Sequence, residues 1–162
     1  MHARGPRALF YIVLALVLGT DQGSKAWVRG NLPLHDPLAV IPGFFYLTFT
    51  HNTGVAFGMF QGEGLIVALL VVALALGALA YTRALNWAAT EPNIVGGMIV
   101  GGALGNLIDR ARLGYVVDFL DFQFGTYHWY IFNVADSCIC VAVVWLVFAQ
   151  LRSPKPKLNP ED

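Results

Sequence analysis

The sequence predicts an all-α membrane protein with a small β element, built as four transmembrane helices and an extracytoplasmic β-sheet cradle. Three observations point there. Hydrophobic residues make up 57% of the 162 and charged residues 12%, against about 25% charged in soluble domains, and the mean hydropathy is +0.61. Apolar runs of span length recur, a bilayer needing about 20 mostly apolar residues. Between them lie aromatic, β-branched stretches with the composition of strands. Ten basic and ten acidic residues cancel, so no basic patch invites nucleic acid. A soluble domain, a disordered chain and a disulfide scaffold all fit this composition poorly.

The elements follow in order. Arg4 and Arg7 precede the apolar Ala8–Leu18, which resembles a secretory signal. No small-x-small cleavage site follows, and the run meets Thr20, Asp21, Gln22 and Lys25, so a retained first span over 8–27 is expected. Asn31–Phe60 contains Phe44-Phe45-Tyr46-Leu47-Thr48-Phe49-Thr50, a strand pattern. Gly64–Thr82 carries no charge between Glu63 and Arg83 and is the strongest span. The third span, 94–110, is glycine-rich. Gly97, Gly101 and Gly105 fall at i, i+4 spacing, which lets another helix backbone approach closely. A nucleotide-binding glycine loop is the rival there, but no strand–loop–helix unit with a phosphate-binding Lys accompanies it. Tyr115–Phe124 and Tyr127–Phe132 read as strands, and the fourth span covers 135–151.

The β regions, 31–60 and 115–132, are aromatic enough for a membrane interface, so a small sheet packed over the outer helix ends is expected. The Pro-rich tail 153–162 reads as disordered, and 1–162 as one domain. Cys138 and Cys140 are two apart on a helix and project to nearly opposite faces; they read as packing residues. An even number of spans puts both termini on one side, with Arg4, Arg7, Arg83, Arg152, Lys155 and Lys157, which makes that side the cytoplasm. Lys25, Arg29, Arg110 and Arg112 fall opposite, so the bias is modest.

Polar groups at membrane depth cost several kcal/mol unless paired, and they mark cavities or functional sites. They form four clusters: Asp21 and Lys25; His51-Asn52-Thr53-Gly54; Asn106, Asp109 and Arg110; and Asp118 with Asn133 and Asp136. Most have a structural explanation. Asp21 and Lys25 suit an i, i+4 ion pair. Asp109 can neutralise a basic neighbour, Arg110 can snorkel or pair, and Asn106 can bridge helices. Asn52 can serve the turn before Gly54, and Asn133 or Asp136 can cap the fourth helix. Asp118 and Asp136 resist such readings, because each sits among apolar neighbours with no basic residue within five positions. If the strand carrying Asp118 returns to the start of the fourth helix, the two carboxyls meet. Adjacent carboxylates share one proton, which makes one a base and the other an acid near neutral pH. Ion conduction, metal binding and structure remain the alternatives for this pair. A metal set of Asp118, Asp121, His128 and Asp136 matches no standard ligand spacing. Ser24, Ser137 and Ser153 lie in no nucleophile-elbow motif, and nothing else points to the sugar chemistry that paired carboxylates also perform.

Five stretches, in order, carry a resemblance: Asp21-Gln22-Gly23-Ser24-Lys25; His51-Asn52-Thr53-Gly54-Val55-Ala56-Phe57; Gly101-Gly102-Ala103-Leu104-Gly105-Asn106-Leu107-Ile108-Asp109-Arg110; Val116-Val117-Asp118-Phe119; and Phe132-Asn133-Val134-Ala135-Asp136-Ser137. With them the chain resembles the bacterial lipoprotein signal peptidases, or type II signal peptidases, over roughly 8–151. The resemblance implies a cytoplasmic-membrane aspartyl endopeptidase with Asp118 and Asp136 as its dyad. It also implies that Asp21, Lys25, Asn52, Gly54, Asn106, Asp109, Arg110, Asn133 and Ala135 support the site or the substrate. It further implies cleavage just before the diacylglyceryl-modified cysteine of a prolipoprotein, no metal or other cofactor, and inhibition by globomycin-type cyclic peptides. The remaining expectations are membrane lipid as surroundings, a monomer, and an active site toward the extracytoplasmic side. Asp109 is expected to orient Arg110 or another donor. The rivals are a four-span transporter or channel subunit with an Asp proton relay, and a structural scaffold whose polar groups pair off without an open cleft.

Overall fold

A computed structural model describes residues 5–54, 89–125 and 127–152. The expected span 64–82, the end of the first β region (55–60) and the tail 153–162 lie outside the described residues. Within them the chain runs α1 (Gly5–Asn31), β1 (Leu38–Ile41), β2 (Phe45–Asn52), α2 (Thr90–Leu113), β3 (Val116–Phe124), β4 (Tyr127–His128) and α3 (Val134–Arg152).

Glycines set the helix packing. α2 lies against both α1 and α3, and its small residues divide between them. A Cβ on Gly97 would stand 2.8 Å from the Phe10 carbonyl, and one on Gly101 3.0 Å from that of Leu14, both on α1. One on Gly105 would collide with the Asp21 carboxylate, also on α1, while on the other flank a Cβ on Gly102 would stand 2.7 Å from the Ala135 carbonyl of α3. Any side chain at these positions pushes a neighbouring helix away. α2 begins at Thr90, earlier than the expected 94, because Pro92 falls in the first helical turn, where a missing N–H costs nothing. It stops at Gly114, whose φ of 80° caps the helix while its N–H donates to the Arg110 carbonyl at 3.0 Å. That turn sends the chain directly into β3.

The four strands form an antiparallel sheet in the order β1-β2-β3-β4. Pro42 and Gly43 turn β1 into β2, with Gly43 at φ 78° and the Phe44 N–H on the Ile41 carbonyl, as a type II turn requires. The strand expected over 127–132 pairs over only its first two residues. The chain then touches β3 again through an isolated bridge, Leu120 to Phe132. That bridge brings the start of α3 beside β3, because the Phe132 carbonyl accepts from both Phe119 and Leu120 N–H. Behind the sheet, Val28 of α1 packs with Phe49, Val117 and Phe119.

The helical region buries charged and polar groups beside apolar ones and exposes large apolar side chains. Asp21, Lys25, Asn93, Asp109 and Asn133 are buried, whereas Ile12, Leu16, Val143, Val147 and Phe148 are exposed. Among the described residues no helix is long and apolar enough to cross a membrane. α1 carries Asp21, Gln22 and Lys25 in its second half, and α2 carries five glycines together with Asn106, Asp109 and Arg110.

Candidate active site

The two aspartates arrive on different elements. Asp118 sits on β3 opposite Thr50 of β2. Asp136 lies in the first turn of α3. Asn133 starts that helix through a reciprocal cap. Its Oδ1 accepts the Asp136 N–H at 3.0 Å, while Asp136 Oδ2 accepts the Asn133 N–H at 3.3 Å. Both residues that were candidates for capping therefore take part in it.

Three amides hold the carboxyls. Asn133 Nδ2 donates to Asp118 Oδ1 at 2.7 Å, and Asn52 Nδ2 to Asp118 Oδ2 at 2.8 Å. Asn106 Nδ2 donates to Asp136 Oδ1 at 2.8 Å. Asn133 Nδ2 also reaches Asn106 Oδ1 at 3.1 Å, so one continuous network joins the pair. Each amide is locked the right way round by a group that can act in only one sense. The Gly54 N–H donates to Asn52 Oδ1 at 3.0 Å, the Asp136 N–H to Asn133 Oδ1, and the Lys25 ammonium to Asn106 Oδ1 at 2.9 Å. Asn52 thus serves both the turn and the carboxyl. Gly54 also offers its carbonyl to Arg110, whose guanidinium donates to it at 2.7 Å.

Electrostatics separate this pair from its neighbours. Asp118 is 2% exposed. Burial first, and the neighbouring Asp136 carboxylate second, push its carboxyl up to about 7, against the opposing pull of the Asn52 and Asn133 amides and the Lys25 charge. A carboxylic acid that titrates near neutrality beside a second carboxylate can hold or release a proton at working pH.

Asp21, Lys25 and Asp109 form a second, buried cluster, joined to the first through Asn106. Lys25 Nζ lies 2.9 Å from Asp21 Oδ2 and 3.1 Å from Asp109 Oδ2. Asp109 does not orient Arg110 directly; its recorded partners are Lys25, Gln22 and the Val117 N–H. Ala135, fully buried, gives its N–H to Asp21 Oδ1 at 3.0 Å. The structure therefore links Asp118, Asp136, Asn52, Gly54, Asn106, Arg110, Asn133, Asp21, Lys25, Asp109 and Ala135 through direct contacts. One member was not singled out from the sequence: Gln22, whose amide donates to Asp109 Oδ1 at 2.9 Å, to the Gly105 carbonyl at 3.1 Å and to Asp21 Oδ2 at 3.2 Å. Its place between Asp21 and Lys25 was the available signal.

Asp121 stands apart. It is buried, accepts at Oδ2 from Thr48 and Gln123, and has no recorded contact with the dyad. His128, the other member of the alternative metal set, is described in its backbone alone. Among the described residues no group of three or more His, Cys, Asp or Glu could hold a metal ion.

The chain is similar to known proteins over most of its length. The Signal peptidase (SPase) II family profile matches residues 13–152. A lipoprotein signal peptidase of Syntrophus aciditrophicus (strain SB) is 39% identical over 160 residues, spanning 94% of this chain and 98% of that one. One from Desulforapulum autotrophicum is 42% identical over 157 residues, spanning 91% and 94%. A bacterial membrane enzyme solved by the in meso method superposes with a TM-score of 0.82 at 27% identity, covering 93% of each chain. With a family profile matched over most of its length and relatives at this identity, the chain belongs to the signal peptidase II family.

Proposed function

We propose that the protein is a membrane aspartyl endopeptidase that removes the signal peptide from diacylglyceryl-modified prolipoproteins, cleaving just before the lipidated cysteine. The observation that carries this is the pairing of Asp118 and Asp136 through Asn133 and Asn106, the first buried and the second half-buried, both held by neutral amides, in a member of a peptidase family. Lipoprotein processing comes from the relatives' names.

The reaction needs one carboxylate and one carboxylic acid. The ionised member takes a proton from a water molecule, whose oxygen attacks the scissile carbonyl carbon. The protonated member donates a hydrogen bond to the carbonyl oxygen as negative charge develops. The tetrahedral intermediate then breaks at the C–N bond. The amine of the lipidated cysteine leaves with a proton passed from the dyad, and the signal peptide leaves with a new carboxylate. Asn52, Asn106 and Asn133 keep both carboxyls oriented through this exchange, and the Gly54 carbonyl held by Arg110 fixes the loop beside them.

The chain works as one domain with four spans, at 8–27, 64–82, 94–110 and 135–151. Both termini are cytoplasmic, and the sheet sits on the extracytoplasmic side of the inner membrane. The inverted pattern of buried charge and exposed Ile12, Leu16, Val143 and Phe148 supports lipid as the surrounding medium. The acyl chains of the substrate lie along these apolar helix faces, and globomycin-type cyclic peptides compete with it. The enzyme acts as a monomer and without a metal.

The test is processing of a synthetic diacylglyceryl prolipoprotein peptide by the purified protein in lipid, beside the same peptide without the lipid. Cleavage of the lipidated peptide alone, insensitive to chelator and blocked by globomycin, is expected. Equal cleavage of both peptides, or loss of activity on chelation, contradicts the reading.

A further inference from the structure

We infer that Lys25 positions both dyad carboxyls by tying together the backbone of the two residues that precede them, an inference that rests on the dyad reading above. Asp21 Oδ1 accepts the Ala135 N–H at 3.0 Å, and Asp136 follows Ala135. Asp109 Oδ2 accepts the Val117 N–H at 3.0 Å, and Asp118 follows Val117. Each clamping carboxylate also holds the same ammonium, Lys25 Nζ, at 2.9 and 3.1 Å. One cation therefore joins strand β3 to helix α3 just ahead of the reacting groups, through two helices that carry neither of them.

The third partner of the ammonium is Asn106 Oδ1 at 2.9 Å. An ammonium only donates, so Lys25 turns the Asn106 amide with its NH2 group toward Asp136. All three donors are thus committed, two to placing backbone and one to orienting a side chain. Gln22 braces the clamp from α1 by donating to both carboxylates.

Stability alone does not account for this cluster. Lys25 is 2% exposed and Asp21 0%, and a buried ion pair is often no better than an apolar replacement of similar volume. An apolar replacement, however, could neither accept the Ala135 and Val117 N–H groups nor fix the Asn106 amide. The charged groups that face the dyad from the surrounding elements are Asp21 and Lys25 on α1, and Asp109 and Arg110 on α2.

The test compares Gln22→Leu, Asp109→Asn and Lys25→Met in the full-length protein, measuring kcat and KM for a lipidated prolipoprotein peptide across pH, with thermal unfolding alongside. Gln22→Leu alters no charge. It should lower kcat about tenfold, in the range expected when reacting groups are slightly misplaced, with KM nearly unchanged and the pH profile unmoved. Lys25→Met should lower kcat further. Asp109→Asn removes one negative charge and leaves the ammonium less neutralised, which favours ionised dyad carboxyls and moves the alkaline limb of the profile to lower pH. If Lys25→Met does not fold, the other two variants decide. Parent kcat in Gln22→Leu together with an unmoved limb in Asp109→Asn overturns the clamp, as does a rise in KM with kcat intact. Failure of the dyad itself reads out separately, as full activity in Asp118→Asn.

Discussion

Two pairs of aspartates share one hydrogen-bonded network and are treated in opposite ways. Asp21 and Asp109 divide the ammonium of Lys25 between them and accept backbone N–H groups from two other elements. Asp118 and Asp136 are met by side-chain amides, and among the described residues no ion pair reaches either. A carboxylate that shares an ammonium and accepts backbone N–H groups serves as a fixed anchor. A buried carboxyl facing neutral donors and a second carboxyl is poised to exchange a proton. Residue type is common to all four, and three of them are buried with Asp136 half-buried; what separates the two pairs is the cation.

That contrast can be broken in graded ways. The largest effect short of replacing the dyad is expected from Asn133→Ala, which removes the amide between the two carboxyls and the side-chain cap of α3 together. Activity on a lipidated peptide should fall about a hundredfold, and an unfolding scan should show a loss of about 1 kcal/mol from the missing cap. Next is pH. With the Asp118 carboxyl pushed up to about 7 by burial and the neighbouring Asp136, its proton is lost above neutrality, so kcat should fall toward tenfold per pH unit on the alkaline side. The sign for stability is the same. The folded state holds a proton on Asp118 at pH values where the unfolded chain, with a value of 3.8, has released it. This group's contribution is therefore fullest at low pH and is lost as pH rises through about 7, and titration followed by unfolding midpoint should show it.

Asn52→Ala should be milder, lowering kcat about tenfold, because Asp118 keeps its Asn133 donor. Smallest for chemistry is Gly102→Ala. The added methyl meets the Ala135 carbonyl of α3 and should cost about 1–3 kcal/mol of stability by overpacking, while the carboxyls keep their amide partners. A hundredfold loss of activity in Gly102→Ala at unchanged stability would mean that the site depends on helix spacing more than on the amides.

The sequence pointed to most of the site because its polar residues stand out against an apolar background. The pairing of Asp21 with Lys25 was readable from i, i+4 spacing; Asp118 and Asp136 stood out by their lack of basic neighbours, and the structure joins them through Asn133 and Asn106. Spatial partners were harder to foresee. Asp109 sits beside Arg110 in the chain yet bonds Lys25, Gln22 and Val117, because neighbours along a helix point to different faces. The glycine stripe at 97, 101 and 105 receives one helix, α1, as its spacing predicted; what the spacing did not show is that Gly102, off that stripe, receives α3. The 127–132 strand shortened to Tyr127–His128 because the rest of that stretch carries the chain into α3. Gln22 went unmarked because a single amide in a polar run has no pattern of its own.

The most direct test is the rate of signal-peptide release from a diacylglyceryl prolipoprotein peptide by Asp118→Asn and Asp136→Asn, each compared with the parent in lipid and each checked for an unchanged unfolding midpoint. An amide preserves the shape and one of the two accepting oxygens but neither takes nor gives the proton, so both folded variants should lose the 10²–10⁴-fold or so that general acid–base catalysis supplies. A folded variant of either kind that releases signal peptide at the parent's rate would contradict the assignment of these two carboxyls to catalysis.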